Sequence, residues 1–239
     1  MGELTVTFLQ HSGFSVELND VLLVFDYTQG AIDGDKLAGY RQVLFFVSHR
    51  HADHFNPAIF DWADPGRVHY ILGYDIPAKW PGIRLKPGES AVYGEVETEA
   101  FESTDMGVSF LVKTGGFTVF HAGDLNLWHW REVSTLREIE QAEREFHAAV
   151  KPLEGMEIDL AFFPVDPRQG SMYDAGANYF VMAVKPRVLI PMHWQERTDV
   201  AVEYARKNRT RRVEVAALTE PGDTLVIGKG TAPANDGGA

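Results

Sequence analysis

The stretch VSHRHADHFNP, residues 47–57, contains three histidines and one aspartate within six consecutive positions. The apolar run at residues 43–47 predicts a buried strand that ends where this cluster begins. Asn56 and Pro57 are typical of the N-cap and the first residue of a helix. The cluster is therefore expected in a strand-to-helix loop of a layered α/β protein, where functional side chains are common.

The residue types in this stretch indicate a metal site, because imidazole and carboxylate groups bind Zn²⁺ and other first-row divalent ions. His49 and His51 are two positions apart, so in extended backbone their side chains point the same way. Asp53 and His54 follow where the chain must turn, and they can face a second position. We predict two neighbouring divalent metal ions with one ligand set each. A polar loop with unrelated histidines is the alternative.

The composition limits both the ligands and the partners. The chain has 239 residues and no cysteine, so metal ligands must come from histidine, aspartate and glutamate. The formal net charge of −12 argues against nucleic acid as a partner, because binding to a phosphate backbone depends on lysine and arginine. No apolar run approaches the length of a transmembrane helix, and the first residues lack a signal-peptide pattern. We expect a cytoplasmic protein with a small-molecule substrate and no membrane partner, and leave self-association open.

The order His49-x-His51-x-Asp53-His54 resembles the signature of the metallo-β-lactamase superfamily. The resemblance continues at Asp124, which follows an apolar strand as the metal-bridging aspartate of that superfamily does. It continues further at His193, which ends another apolar strand, as the last metal ligand of that superfamily does.

This resemblance implies the fold and the division of the ligands. The fold is expected to be α/β (α+β), the four-layer αββα sandwich, as one domain at residues 1–227 with a disordered tail at residues 228–239. Zinc is the expected metal, with manganese or iron as alternatives. The first ion is expected on His49, His51 and Asp124, and the second on Asp53, His54, His193 and again Asp124.

Two aspartates receive roles from the same resemblance. In most of the superfamily the loop that corresponds to residues 102–107 supplies a further histidine, which this chain lacks. Asp105 is the expected substitute at the first ion, and without it that ion would be weakly bound or missing. Asp26, at a strand end, is expected to orient ligands rather than bind metal, with an ordinary turn carboxylate as the alternative. His11 is expected to be structural, with a catalytic role as the alternative, and His121 is expected to be packed, with support of a metal ligand as the alternative.

A run of aromatic residues after Asp124 predicts a pocket. Trp128 is expected to contact the substrate and His129 to act as a proton donor, with an aromatic anchor for the following helix as the alternative. Arg168 follows the apolar strand at residues 158–163. We expect it to bind a phosphate or carboxylate group of the substrate, the alternative being a structural ion pair with Asp166.

Residues 132–150 predict an amphipathic helix with one apolar face packed on the core. The helix would either cover the site or form a subunit contact. The apolar positions of this face are Val133, Leu136, Ile139, Phe146 and Val150.

The expected function is a metal-dependent hydrolase in which a metal-bound hydroxide attacks a carbonyl or phosphoryl centre. Asp53 would orient this nucleophile and His129 would protonate the leaving group. The substrate is expected to be a small ester, lactone or phosphorylated metabolite, because the chain resembles the ascorbate-phosphate lactonase branch. A two-metal phosphodiesterase and a non-catalytic metal-binding or sensory module are the alternatives.

Overall fold

The computed structural model describes residues 2–210 and 212–230, which form two mixed seven-stranded sheets. The first sheet begins with β1 (Glu3–Gln10), β2 (Gly13–Leu18), β3 (Val21–Phe25), β4 (Gln42–Val47), β5 (Val68–Gly73) and β6 (Ile83–Leu85). The second contains β7 (Ser90–Tyr93), β8 (Val96–Phe101), β9 (Ser109–Thr114), β10 (Phe117–His121), β11 (Leu160–Pro164), β12 (Val188–Met192) and β13 (Glu214–Val215). The last strand, β14 (Thr224–Gly228), pairs antiparallel with β1 and completes the first sheet.

The strand directions bring several strand ends to one edge. The spatial orders are β14-β1-β2-β3-β4-β5-β6 and β13-β12-β11-β10-β9-β8-β7. β3, β4, β5 and β6 run parallel to one another, and so do β10, β11, β12 and β13. In parallel arrays the carboxyl ends of neighbouring strands lie together, and ligand sites form there.

The main core lies between the two sheets and is rich in phenylalanine. Phe14 of β2 and Phe162 of β11 stack with ring centroids 4.2 Å apart. Phe46 of β4 meets Phe110 of β9 edge to face at 5.5 Å. These contacts join the sheets directly.

Helices cover both outer faces, as expected for the four-layer αββα sandwich, and the predicted fold class is confirmed. The α-helices are α1 (Gly34–Ala38), α2 (Leu136–Val150), α3 (Ala175–Ala183) and α4 (Thr198–Asn208). On the second sheet, Phe180 of α3 stacks on Phe163 at 4.5 Å. On the first sheet, α1 and the 3₁₀ helix Pro57–Trp62 cover a smaller apolar cluster that includes Leu37 and Ile59. Asn56 caps that 3₁₀ helix as predicted, since its side chain accepts from Ala58 N at 3.0 Å.

The helix predicted at residues 132–150 is shorter and less buried than expected. It begins at Leu136 because Thr135 and Glu138 form a capping box. Val133 and Leu136 are 82% and 80% exposed, so their predicted core packing is wrong. Only the last part of the helix, with Phe146 and Val150, packs on the core.

The boundary of the predicted domain is close to the end of the last strand, which extends to Gly228. Most of the predicted disordered tail, residues 231–239, lies outside the described residues. The single-domain organisation stays a prediction. Within residues 2–210 and 212–230, we find no helix that has both the length and the apolar character needed to span a membrane.

Candidate metal centre

Most of the predicted metal ligands meet where strands of both sheets end. His49, His51, Asp53 and His54 follow β4, Asp124 follows β10, and His193 follows β12. The turn after β1 adds one more histidine, His11, to this place. The six predicted side chains and His11 form two groups that share Asp124.

The first group consists of His49, His51 and Asp124. His49 Nε2 lies 3.0 Å from His51 Nδ1 and 3.4 Å from Asp124 Oδ2. Ligands that share a tetrahedral zinc ion with bonds of about 2.1 Å lie roughly 3.4 Å from each other. The spacing of these three donors is therefore suitable for a divalent ion.

The second group consists of His11, Asp53, His54 and His193. Asp53 Oδ2 lies 3.4 Å from His11 Nε2 and 3.9 Å from His193 Nε2. Asp124 Oδ1 lies 3.1 Å from His54 Nε2 and 3.3 Å from His193 Nε2. Since Asp124 Oδ2 faces His49 of the first group, the two oxygens of this carboxylate face different groups, as a bridging ligand requires.

The donor atoms of the second group fit a metal ion for a further reason. The Nε2 atoms of His11, His54 and His193 and the Oδ1 atom of Asp124 are buried and have no hydrogen-bond partner among the described residues. Buried polar atoms in folded proteins are nearly always paired, and unpaired ones point to an ion or a ligand. Four such atoms converge at one point, where a divalent cation would supply the partner that each of them lacks.

Asp26 and Ser48 hold the histidines of both groups. Asp26 Oδ2 accepts from His54 Nδ1 at 2.7 Å and from Ser48 Oγ at 2.7 Å, and Asp26 Oδ1 accepts from Ser48 N at 2.7 Å. Ser48 Oγ is also 2.9 Å from His49 Nδ1. This arrangement keeps the protons of both imidazoles on Nδ1 and leaves Nε2 free for metal. Asp26 belongs to neither donor group and contacts the side chain of His54 directly and that of His49 through Ser48.

His193 is held in a similar way from the second sheet. Its Nδ1 lies 3.0 Å from Oδ2 of Asp166, which is fully buried. Arg168 donates from Nε to both oxygens of Asp166, at 3.0 and 2.9 Å. The ion pair offered as the structural alternative for Arg168 therefore exists, and it supports a ligand histidine.

The charges of the site depend on these contacts. Burial alone would raise the pKa of Asp124, but His54, His193 and His49 outweigh it and lower that pKa. Burial would lower the pKa of His54, but Asp124 and Asp26 outweigh it and raise that pKa well above its usual value. Burial, and next the neighbouring His54, lower the pKa of His49 to about 4. Without metal, the protonated form of His54 is therefore favoured.

The backbone at the site is in unusual conformations. His11, Asp26 and His193 have φ values of 56°, 41° and 62°. Such values are uncommon outside glycine and concentrate at functional sites, where packing enforces them. They turn these side chains from the strand ends toward the metal groups.

The loop before β9 passes closely over the end of β4. Gly107 has φ +73°, and a Cβ at this position would overlap the carbonyl oxygen of Ser48. The next residue, Val108, donates from its backbone nitrogen to this oxygen at 3.1 Å. Only glycine permits this approach without displacing the segment that leads into His49.

The structure does not bring Asp105 into either donor group, in contrast to its expected role as a replacement ligand. Its side chain is exposed. The preceding residue, Thr104, is tied to Asn126, because Thr104 Oγ1 accepts from Asn126 N at 2.9 Å and donates to Asn126 O. This pairing fixes the loop beside Asn126, and Asp105 lies at the wall of a cleft.

This cleft has a volume of about 300 Å³ and opens at Asp124. Trp128 and Trp130 are anchored, as Trp128 Nε1 donates to Asp124 O at 2.7 Å and Trp130 Nε1 donates to Arg168 O at 3.1 Å. The Trp128 ring is 5.9 Å from His193. The cleft is therefore continuous with the metal groups. Its lining consists of Thr104, Asp105, Asp124, Trp128, Trp130 and Arg168.

His129 does not line this cleft. Its side chain is buried, and both ring nitrogens lack a hydrogen-bond partner among the described residues. Trp128 and Trp130 take the cleft side, and the residue between them is directed elsewhere. The expected role of His129 as a proton donor thus finds no geometric support.

His121 is packed as expected, with Nε2 2.9 Å from Ser12 O and its ring stacked on Phe25.

The sequence alone did not indicate the roles of three side chains. His11 was expected to be structural, yet it belongs to the second group; Ser48 and Asp166 support ligands. A signal existed for His11, since it directly follows a predicted strand, as the ligand motif does. Whether His11 reaches the donor groups depends on β1 ending at the same edge as β4, and the local sequence does not reveal this.

Comparisons with known proteins show the family of this chain. A family described as the beta-lactamase superfamily domain matches residues 5–143. A metal-dependent hydrolase from Heliobacterium modesticaldum is 27% identical and covers 94% of this chain and 98% of that protein.

Solved structures show the same fold. Igni18, a metallo hydrolase from Ignicoccus hospitalis, is 19% identical, with a TM-score of 0.69 over 95% of this chain and 99% of that chain. A putative zinc-dependent hydrolase of the metallo-β-lactamase superfamily from Thermotoga maritima is 18% identical, with a TM-score of 0.52 over 90% of this chain and 100% of that chain.

The family match covers more than half of the chain, and the curated relative spans nearly all of it. The predicted enzyme class, a metallo-hydrolase, is confirmed by these relatives. The motif after β4, the aspartate after β10 and the histidine after β12 stand together as the resemblance implied. The chain therefore belongs to the β-lactamase superfamily.

Proposed function

We propose that this enzyme hydrolyses a small ester, lactone or phosphorylated metabolite with two divalent metal ions, most suitably zinc. The observation that carries the proposal is the position of Asp124, whose Oδ2 faces His49 and whose Oδ1 faces His54 and His193. A carboxylate in this position could hold one divalent ion on each oxygen, and two such ions would supply the chemistry of two-metal hydrolysis.

When bound, such ions make a coordinated water acidic and stabilise negative charge on a substrate oxygen. The chain supplies the rest. The hydrogen bonds of His54 to Asp26 and of His193 to Asp166 orient the ligand rings. Asp53 is half-exposed, and the neighbouring His11, whose Nε2 is 3.4 Å from Asp53 Oδ2, lowers the pKa of Asp53. Asp53 therefore stays ionised and could orient the attacking water by accepting a hydrogen bond from it.

The cleft supports a small anionic substrate. Its volume of about 300 Å³ suits a metabolite rather than a polymer. The Arg168 side chain is 55% exposed there while Asp166 fixes its position, so the guanidinium is pre-oriented for a phosphate or carboxylate group. Trp128 and Trp130 offer apolar ring faces beside it. The exposed Asp105 would disfavour a second anionic group on that wall.

A small phosphodiester is the second candidate, because an arginine next to a two-ion site also suits phosphoryl transfer. The high negative charge of the chain argues against a nucleic acid as that phosphodiester. A non-catalytic metal-binding or sensory module is the third. It would bind metal and change conformation or assembly without turnover.

The test is a hydrolysis panel on the metal-free and reloaded protein. The panel contains carboxylic esters, lactones, phosphomonoesters and phosphodiesters, and reloading uses Zn²⁺, Mn²⁺ or Fe²⁺ in separate samples. We expect turnover only after reloading. His51→Ala should abolish it while the circular dichroism spectrum remains unchanged.

The matched control is His69→Ala, because His69 lies on β5 and stacks on Tyr93 away from both donor groups. It should retain the wild-type rate. An unchanged rate in His51→Ala would exclude the first donor group from the mechanism. Metal binding without turnover on the whole panel would favour the sensory module.

A further inference from the structure

The two donor groups are unequal in number of ligands. The first offers His49, His51 and Asp124 Oδ2. The second offers five side chains, which are three histidines and two carboxylates. These are His11, Asp53, His54, His193 and Asp124, the last through Oδ1.

His11 accounts for much of this difference, and its geometry is that of a ligand. Its Nε2 lies 3.4 Å from Asp53 Oδ2, and its ring centroid lies 4.3 Å from that of His193. The backbone at His11 has φ +56°, a conformation that tertiary contacts must enforce. His193 N donates to His11 O at 3.4 Å, so the two turns support each other.

The donors also differ in how well they are paired without metal. In the first group, His49 Nε2 and His51 Nδ1 lie 3.0 Å apart and can hydrogen-bond to each other. In the second group, four donor atoms are buried without a partner among the described residues. A metal ion therefore gains more by entering the second group, because five donor side chains surround it there and only three in the first group.

We propose that His11 is a ligand of the second ion and that the two sites fill in order, the second group first and tightly, the first group later and weakly. This inference rests on the proposed two-ion centre. On this proposal, the five donors of the second group would hold the second ion in place. The first group has three donors and would leave coordination positions open. Asp105, outside both groups, has no part in either step.

The experiment is a titration of the metal-free protein with Co²⁺, followed by visible absorption and by competition with a chelator. Wild type should show two binding steps of different affinity. His11→Asn should weaken the tight step by about tenfold or more and change its absorption spectrum. Asparagine tolerates the positive φ at this turn but is too short to reach the ion.

His51→Ala should remove the weak step and leave the tight one, and His69→Ala should leave both unchanged. Unchanged steps in His11→Asn would overturn the proposal. A weaker tight step with an unaltered spectrum would overturn ligation by His11, because it would then only orient Asp53. Two steps of equal affinity would overturn the filling order. Failure of the wild type to bind Co²⁺ would instead contradict the proposed two-ion function.

Discussion

At the residue scale, the buried carboxylate of Asp26 is linked by hydrogen bonds to one histidine of each donor group. Asp26 accepts from Ser48 and from His54, and Ser48 in turn is within hydrogen-bond distance of His49. Asp26 thus fixes one ligand of each group. Its backbone has φ +41°, and its side chain is 1% exposed. The position of this residue is set by several contacts at once, which explains how an unusual backbone conformation persists there.

Asp26→Asn should weaken metal binding by about 10–100-fold, because an amide cannot accept all three hydrogen bonds. Competition with a chelator measures the effect. Asp33→Asn is the matched control, since asparagine caps a helix as well as the aspartate that now caps α1. Equal affinities in the two variants would contradict the role assigned to Asp26.

Metal binding should release protons near neutral pH. Asp124 and Asp26 raise the pKa of His54 well above its usual value despite burial, so the metal-free protein holds a proton that the ion must displace. The apparent metal affinity should therefore rise with pH until that pKa is passed. His49, with its pKa lowered to about 4, contributes no such competition at pH 7.

Calorimetry in buffers of different ionisation enthalpy counts the released protons. A binding enthalpy that does not depend on the buffer at pH 7 would contradict a protonated His54.

Asp105→Ala should leave the number of bound metal ions unchanged, because Asp105 lies outside both donor groups. Metal content per chain, measured by plasma mass spectrometry on protein purified without chelator, decides this. Loss of one ion in the variant would restore Asp105 as the replacement for the missing histidine.

At the element scale, the loop before β9 and the end of β4 are packed too closely for side chains. A Cβ on Gly107 would overlap the Ser48 carbonyl oxygen and would also approach His49 Cβ to 2.5 Å. Gly73, at the end of β5, approaches the same carbonyl from another segment. The segment that presents His49 is therefore enclosed by two glycines.

Gly107→Ala should destabilise the fold by several kcal/mol and weaken the first donor group, because both the conformation and the space are unsuitable for a side chain. Gly88→Ala separates the two effects, since Gly88 has φ +82° but a Cβ added there would meet no heavy atom within 4 Å. This control should lose only about 1–2 kcal/mol. Urea unfolding measures both, and similar losses would show that the close approach to Ser48 is unimportant.

At the scale of the whole molecule, the metal centre lies at one edge of the sandwich, while the core lies between the sheets. The core contacts, such as the stack of Phe14 on Phe162, involve no metal ligand. The chain should therefore remain folded without metal, although less stable.

Chelation should lower the Tm without unfolding the protein at room temperature. An ion present at about a thousand times its dissociation constant adds about 4 kcal/mol of stability, which corresponds to a shift of roughly 8–16 °C at this chain length. Thermal scans with and without chelator measure this shift. Complete unfolding on chelation would show that the metal is required for the fold itself.

The sequence by itself determined the sandwich fold and six of the seven donor side chains, because these depend on local patterns. Apolar strands specify the sheets, and the crowded motif after β4 carries its chemistry within six residues. Asp124 and His193 were recognisable by resemblance to the superfamily, in which the corresponding ligands also come after apolar strands. Asp26 was recognisable by resemblance for the same reason.

The tertiary structure alone decided which loops reach the two donor groups. It brought His11 to the second group, since β1 ends at the same edge as β4 and His193 N holds the turn. It kept Asp105 in the cleft wall, since Thr104 is bonded to Asn126. It buried His129, since the neighbouring Trp130 is anchored to the carbonyl of Arg168, far away in sequence. Each outcome depends on a contact between segments far apart in sequence, and local propensity contains no information about such contacts.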